Sequence, residues 1–145
     1  MIRKTLAEMI VGQQLLALAP DTTIRRAAEQ MRERHVGSVL ITDGAGRLLG
    51  IFTERDATCR VLAEGRDPAT TRLDAVMTPR PTTLPPEALA LDALRLMREG
   101  GYRHVPVARG DQVLGMVSFT DFRGLDLVRL QQRLEDENGM FEALR

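Results

Sequence analysis

Two short stretches of the sequence each place a hydroxyl and a carboxylate at a spacing that suits ligand binding. Gly50–Asp56 reads GIFTERD, and Gly115–Asp121, 65 positions later, reads GMVSFTD. Where such a segment joins a strand to a helix, the hydroxyl lies beside unpaired backbone N–H groups, which attract a phosphate. The aspartate three residues later, in the first helical turn, can accept hydrogen bonds from a diol. The pattern therefore predicts a ribose-phosphate site at each copy.

The same pattern also occurs without any ligand. A Ser or Thr followed three residues later by an acidic residue is a capping box, in which side chains satisfy the first backbone donors of a helix. For a single occurrence, capping is the commoner explanation. Two copies in register, each preceded by a glycine, favour binding, and the hydroxyl can cap the helix while the carboxylate binds.

The two copies belong to a longer internal repeat. A shift of 66 places Ala27 on Ala93 and Met31–Glu33 on Met97–Glu99, and the offset falls to 65 before the two heptapeptides. The single gap lies where Asp43–Arg47 faces Arg109–Gln112, a region rich in Gly and Asp. Because turns tolerate changes of length, this gap supports a true duplication.

Each repeat is predicted to contain strand, helix, strand, strand and helix. The first helices follow from apolar residues at helical spacing, and the paired strands from short apolar runs joined by a turn. The fold class is therefore α+β, with two halves that cover each other around a pseudo-twofold axis. The helical residues are Ile24, Ala27, Ala28 and Met31, then Ala90, Ala93, Leu94 and Met97; the strands lie near Leu15–Leu18, Val39–Ile41, Leu48–Phe52, Val105–Val107 and Val113–Val117; the closing helices run from about Thr53 to Ala63 and from Ser118 to Leu130.

Both ends of the chain are also predicted to be helical. Thr5 and Glu8 form a capping signature for a short first helix. Leu127, Leu130 and Leu134 continue an apolar stripe, and Asn138–Gly139 is a plausible stop. We expect the tail beyond it to dock on the module or on a second subunit.

Composition excludes several classes of function. Twenty basic residues balance twenty acidic ones, so no net field favours nucleic acid or an anionic membrane. No apolar run approaches the roughly 18 residues of a membrane helix. The single cysteine, Cys59, cannot form an intramolecular disulfide, fits a reducing cytoplasm, and is expected to be buried in a helix. We therefore expect a soluble cytoplasmic protein.

The sequence shows no arrangement of residues that is typical of an active site. There is no pair of carboxylates arranged for acid–base chemistry and no His/Cys cluster at metal-ligand spacing. His35 and His104 are the two histidines, and neither accompanies a nucleophile. We expect a protein that is not an enzyme and requires no cofactor.

The repeated motifs resemble those of tandem cystathionine β-synthase (CBS) domains, the arrangement called a Bateman module, in its stand-alone bacterial form. The resemblance covers nearly the whole chain and rests on Gly50–Asp56, Asp74–Pro79, Tyr102–Val107 and Gly115–Ser118 in this order. It implies a first CBS repeat with its lead-in over residues 1–68, a second with its connector over 69–130, and a helical tail over 131–145.

In that family, clefts between the two repeats bind adenosine-containing ligands such as AMP, ADP, ATP or S-adenosylmethionine. The resemblance implies that Asp56 and Asp121 hold ribose hydroxyls, and that Arg103 and His104 contact phosphate. It places further contacts near ribose or phosphate at Thr53, Ser118 and Thr120, and around the adenine at Val36, Gly37, Ser38, Tyr102, Arg103 and His104.

The two repeats differ at one point that matters for binding. Gly37 and Ser38 occupy the positions of Arg103 and His104, so the two clefts cannot be chemically alike. Arg55 is a candidate to restore positive charge in the first cleft, although it could equally bridge to Glu54 or Asp56.

The resemblance implies a regulatory module that binds an adenine nucleotide and signals to a partner, as a homodimer of parallel or antiparallel arrangement. A ligand can signal in this way if it binds one arrangement of the repeats better than another. The alternative is a ligand-free structural or interaction dimer, and the regulated partner stays open.

Overall fold

The computed structural model describes residues 3–122 and 124–143, which divide between two compact units. The first unit comprises Gln14–Thr82 with Gly110–Val113, and the second comprises Met1–Gln13, Thr83–Arg109 and Leu114–Arg145. Each unit carries one copy of the heptapeptide. The fold is α+β, as predicted.

The elements follow the predicted order in the first repeat, whereas the first predicted strand of the second repeat is reduced to a single bridge. In chain order they are α1 (Leu6–Met9), β1 (Ala17–Leu18), α2 (Ile24–Arg34), β2 (Ser38–Thr42), β3 (Leu48–Thr53), α3 (Glu54–Asp56) with a π-helical turn (Ala57–Leu62), α4 (Leu73–Val76), β4 (Thr78–Pro79), α5 (Ala90–Gly100), β5 (His104–Arg109), β6 (Gln112–Ser118), a 3₁₀ turn (Phe119–Asp121) and α6 (Gly124–Ala143).

Paired strands form the frame of each unit. In the first unit the sheet order is β1-β2-β3-β4, with β1 parallel to β2 and the remaining neighbours antiparallel. In the second unit β5 pairs with β6. The predicted hairpins are confirmed, and their difference in length falls in the turns, as expected.

An aliphatic core supports each frame, because the amphipathic helices turn their apolar faces onto the strands. The first core contains Leu16, Ile24, Ala27, Met31, Val39, Ile41, Phe52, Val61, Leu73 and Val76, and the second contains Leu6, Ala90, Leu91, Ala93, Leu94, Met97, Val105, Val107, Val117, Phe122, Leu130 and Leu134. Ala28 lies in α2 as predicted, and it is exposed at the edge of the apolar face of this helix.

The short helix that precedes each repeat in sequence belongs to the unit that contains the other repeat. α1 precedes the first repeat in sequence but belongs to the second unit, where Thr5 bridges Leu89. α4 precedes the second repeat but belongs to the first unit, where Arg72 bridges Thr23. The predicted cap of α1 is confirmed, since the Thr5 hydroxyl accepts a hydrogen bond from the Glu8 N–H at 3.3 Å.

Some predicted boundaries differ from the structure. The outer strand of the first unit covers only Ala17–Leu18, and its counterpart is a single bridge between Leu84 and Val107. The helix predicted from Ser118 to Leu130 is interrupted at Phe122, which is extended and buried in the core. Gly139 does not end α6, because its φ is not positive and the helix continues to Ala143.

The prediction for Cys59 was also wrong. Its side chain is exposed on the π-helical turn. The buried side of this turn carries Val61, with Ala57 one turn earlier at its margin, so Cys59 between them faces away from the core.

The glycine of each heptapeptide permits a close approach of neighbouring chain. A Cβ at Gly50 would clash with the Met77 side chain and lie 2.9 Å from the Thr78 carbonyl oxygen. A Cβ at Gly115 would lie 2.8 Å from both Ile10 Cβ and Gln13 Oε1. The glycines are therefore explained by packing within each unit.

We predict that Gly50→Ala and Gly115→Ala each lower the free energy of unfolding by about 1–3 kcal/mol, because the added methyl group overpacks a filled space. Gly44→Ala is the matched control, since a Cβ there meets nothing within 4 Å. Urea denaturation measures all three. Equal effects of Gly50→Ala and Gly44→Ala would contradict the packing argument.

The turn between β2 and β3 is held by Asp43. Its Oδ1 accepts hydrogen bonds from the backbone N–H groups of Ala45 and Arg47 at 2.9 and 3.0 Å, and its Oδ2 accepts one from Arg47 Nε at 2.8 Å. These donors, the Arg47 backbone N–H foremost, hold the pKa of the Asp43 carboxyl below its ordinary value of 3.8.

We predict an NMR titration midpoint for Asp43 below 3.8. A folded-state pKa lower than the unfolded one adds stability above the unfolded pKa, and that stability is lost as the pH falls through the folded pKa. Arg47→Met should retain most of the lowering because the backbone donors remain. A midpoint at or above the ordinary value would refute this account of the turn.

Candidate functional site

The first copy of the motif forms a corner at the junction of β3 and α3, which we call the first corner (Val36–Ser38 and Thr53–Asp56). The Thr53 N–H donates to Asp56 Oδ2 at 2.9 Å, and the Thr53 hydroxyl accepts from the Asp56 N–H at 3.3 Å. The capping box is therefore present. It occupies Oδ2 of the carboxylate and leaves Oδ1 for other contacts.

Arg60 is the ion-pair partner of this carboxylate. Its Nε lies 3.6 Å from Asp56 Oδ1, and its NH1 donates to the carbonyl oxygens of Val76 and Met77 at 3.1 and 3.0 Å. Arg55 is exposed and bridges neither Glu54 nor Asp56 in the described part of the chain, so that possibility is not realised. The sequence analysis missed Arg60, although its position four residues after Asp56 on a helix is a recognisable signal.

The predicted adenine-framing segment of the first repeat lies beside this corner. Ser38 pairs with Thr53 across β2 and β3, and the Glu54 N–H donates to the Gly37 carbonyl oxygen at 3.0 Å. Ser38 is buried, Gly37 half-buried and Val36 exposed. The structure thus brings together all five residues predicted for the first site.

The second copy forms the second corner (Tyr102–His104 and Ser118–Asp121) with the same backbone connection. The Ser118 N–H donates to Asp121 Oδ2 at 2.7 Å, and the Thr120 N–H donates to Ser118 Oγ at 3.3 Å. The Phe119 N–H donates to the Arg103 carbonyl oxygen at 2.8 Å. Asp121 is exposed, and its Oδ1 has no hydrogen bond or ion pair with a described residue.

A cation–aromatic contact distinguishes the second corner. The Arg103 guanidinium carbon lies 4.5 Å from the centre of the Phe119 ring, a geometry that is attractive because the ring face is negative. Tyr102 and His104, on either side of Arg103, are half-buried. Phe119 had no role in the sequence prediction, so the side chain that holds Arg103 was missed.

A hollow of about 500 Å³ opens in the second unit next to this contact. Tyr102, Arg103 and Phe119 line one side of it, and residues of α5 and α6 line the rest. Ser118, Thr120 and Asp121 do not line it. The hollow is therefore separate from the hydroxyl and carboxylate groups that could hold a ribose.

Each corner offers chemistry suited to a polyol. A carboxylate held by its own backbone through one oxygen can accept hydrogen bonds from adjacent hydroxyl groups through the other. Within the described residues, no three His, Cys, Asp or Glu side chains group closely enough to hold a metal ion. None of the helices in residues 3–122 and 124–143 is long and apolar enough to cross a membrane.

The model of the CBS domain matches residues 7–62 and 73–127, so the chain contains two CBS repeats and belongs to the CBS-domain family. It is 33% identical over 129 residues to the CBS domain-containing protein CBSCBSPB2 of Arabidopsis thaliana, covering 89% of this chain and 24% of that protein. The chain thus spans about a quarter of the length of that curated relative.

Solved structures agree with this assignment. The CBS-domain containing protein ATU1752 from Agrobacterium tumefaciens is similar, with a TM-score of 0.74, 28% identity, and coverage of 81% of this chain and 95% of that one. The CBS domain protein PAE2072 from Pyrobaculum aerophilum, complexed with AMP, has a TM-score of 0.78 over 88% of this chain and 98% of that one. At 23% identity, the second likeness shows the fold alone.

We predict that Asp56→Ala and Asp121→Ala each lower the free energy of unfolding by about 1 kcal/mol, because each leaves a capping N–H without its acceptor. Asp56→Asn and Asp121→Asn should have smaller effects, since the amide oxygen can replace Oδ2. Urea denaturation of the four variants tests this. If the Asn variants are as unstable as the Ala variants, the capping role assigned to the carboxylates is wrong.

Proposed function

We propose that this chain is a non-enzymatic regulatory module that binds adenosine-containing ligands and signals to a partner protein. The main support is the carboxylate at each corner, with Asp121 offering an oxygen that contacts no described residue, beside the Ser118 and Thr120 hydroxyls. Capping alone uses only one oxygen of each aspartate. At Asp121 the second oxygen is the one that would accept hydrogen bonds from the ribose hydroxyls, whereas at Asp56 it is paired with Arg60.

The second corner is our principal nucleotide site. Asp121 would accept hydrogen bonds from the two ribose hydroxyls. Ser118 and Thr120 would contact the ribose or the phosphate. Arg103, exposed and stacked on Phe119, would supply positive charge to the phosphate, with His104 next to it. The backbone from Tyr102 to His104 would frame the adenine.

The choice of ligand follows from this arrangement of groups. AMP, ADP and ATP offer a diol for Asp121 together with phosphate for Arg103, whereas S-adenosylmethionine offers the diol without a phosphate. The AMP bound to the Pyrobaculum aerophilum protein makes AMP the first ligand to test. The ligand would act on a homodimer in the cytoplasm, by favouring one arrangement of the repeats over another.

We predict that AMP binds the wild-type chain and that Asp121→Asn weakens this binding by about tenfold or more, because hydrogen bonds to a charged acceptor are lost. The Asn amide keeps an acceptor for the Ser118 N–H, so the corner keeps its cap. Isothermal titration calorimetry gives the dissociation constants. Asp136→Asn, an exposed change of the same type on α6, is the matched control.

The alternative function is a structural or interaction dimer without a ligand. It would be favoured if none of AMP, ADP, ATP and S-adenosylmethionine bound to the wild-type chain. Equal loss of binding in Asp121→Asn and Asp136→Asn would also contradict the site that we propose.

A further inference from the structure

The two corners carry opposite charges beside the same backbone connection. Gly37 corresponds to Arg103 in the repeat, and Glu54 corresponds to Phe119. The same backbone hydrogen bond joins Glu54 to Gly37 and Phe119 to Arg103. In the second corner the Arg103 guanidinium covers the Phe119 ring. In the first corner the Glu54 carboxyl carbon lies 3.3 Å from where a Gly37 Cβ would be, and its Oε2 lies 3.4 Å from that point. The Glu54 carboxylate thus lies over Gly37, the residue that corresponds to Arg103 in the second repeat.

Glu54 makes no ion pair with a described residue. Arg60 directs its guanidinium to Asp56 Oδ1 and to the carbonyl oxygens of Val76 and Met77. Arg55 is exposed and makes no ion pair with Glu54 among the described residues. A phosphate brought to the Gly37 segment would therefore meet a carboxylate, which is repulsive at short range.

The first corner keeps the capping aspartate of a ribose site, although Arg60 is paired with the second oxygen of that aspartate. Thr53 and Asp56 have the same backbone connection as Ser118 and Asp121, and Gly37 and Ser38 leave more room than Arg103 and His104. The difference between the corners thus lies in charge and size at the segment that corresponds to Arg103 and His104, the residues that would meet the phosphate in the second corner.

We infer that Glu54 is a specificity-determining residue that makes the first corner select an adenosine compound without phosphate, while the second corner takes the nucleotide. This inference rests on the proposed function and extends it to ligand class. A neutral nucleoside and a cationic one, adenosine and S-adenosylmethionine, both belong to the selected class. The module would then compare two adenosine metabolites of different charge.

Calorimetry on Asp121→Asn tests this inference, because that variant leaves the first corner as the working site. We expect adenosine or S-adenosylmethionine to bind it about tenfold more tightly than AMP, as expected for one short-range repulsion. Adding Glu54→Gln should bring the AMP and adenosine affinities to within about threefold of each other, since the repulsive charge is removed. Glu64→Gln, an exposed change of the same type in the first unit, should leave the ratio unchanged.

A second measurement does not depend on the Asp121→Asn variant. In the otherwise wild-type chain, AMP should fill one site per chain, and Glu54→Gln should open a second. The inference is overturned if Asp121→Asn prefers AMP or binds no adenosine compound, or if Glu54→Gln changes neither ratio nor stoichiometry. If the inference about Glu54 fails while Asp56→Asn still binds AMP, the proposed function stands. A wild-type chain that binds none of these ligands would refute both the inference and the proposed function.

Discussion

The structure of each unit depends on one hydrogen bond between an aspartate carboxylate and the backbone N–H at which a strand ends. Asp56 holds Thr53 and Asp121 holds Ser118 in this way, at 2.9 and 2.7 Å. The bond fixes the direction in which the chain leaves the sheet, and it fixes the orientation of the carboxylate. Because one oxygen is held by the backbone, the other is presented in a defined direction. Fold and candidate site therefore share the same interaction.

The backbone pairing beside each corner brings a second segment to the carboxylate. The Glu54 N–H reaches the Gly37 carbonyl oxygen, and the Phe119 N–H reaches that of Arg103. Duplication has kept this frame while the side chains on it have changed. The first corner now has Glu54 over Gly37, and the second has Arg103 over Phe119. A conserved frame with altered charges is a physical basis for two sites of different ligand preference.

Much of this could be predicted from the sequence because duplication shows every pattern twice. Both hairpins, both amphipathic helices and the two corners followed from spacing and turn residues. The errors concern features that spacing does not report. Phe122 interrupts a predicted helix because the core draws its side chain inward, and α6 passes Gly139 because a glycine weakens a helix without ending it. The roles of Arg60 and of Phe119 depend on side-chain contacts and became visible only in the structure.

The central claim is that Oδ1 of Asp121 binds the ribose of an adenine nucleotide. A crystal structure of the chain grown with AMP tests it most directly. The account predicts ribose hydroxyls within hydrogen-bonding distance of Asp121 Oδ1, with the phosphate next to Arg103. AMP lying instead in the hollow between α5 and α6, away from Asp121, would contradict it.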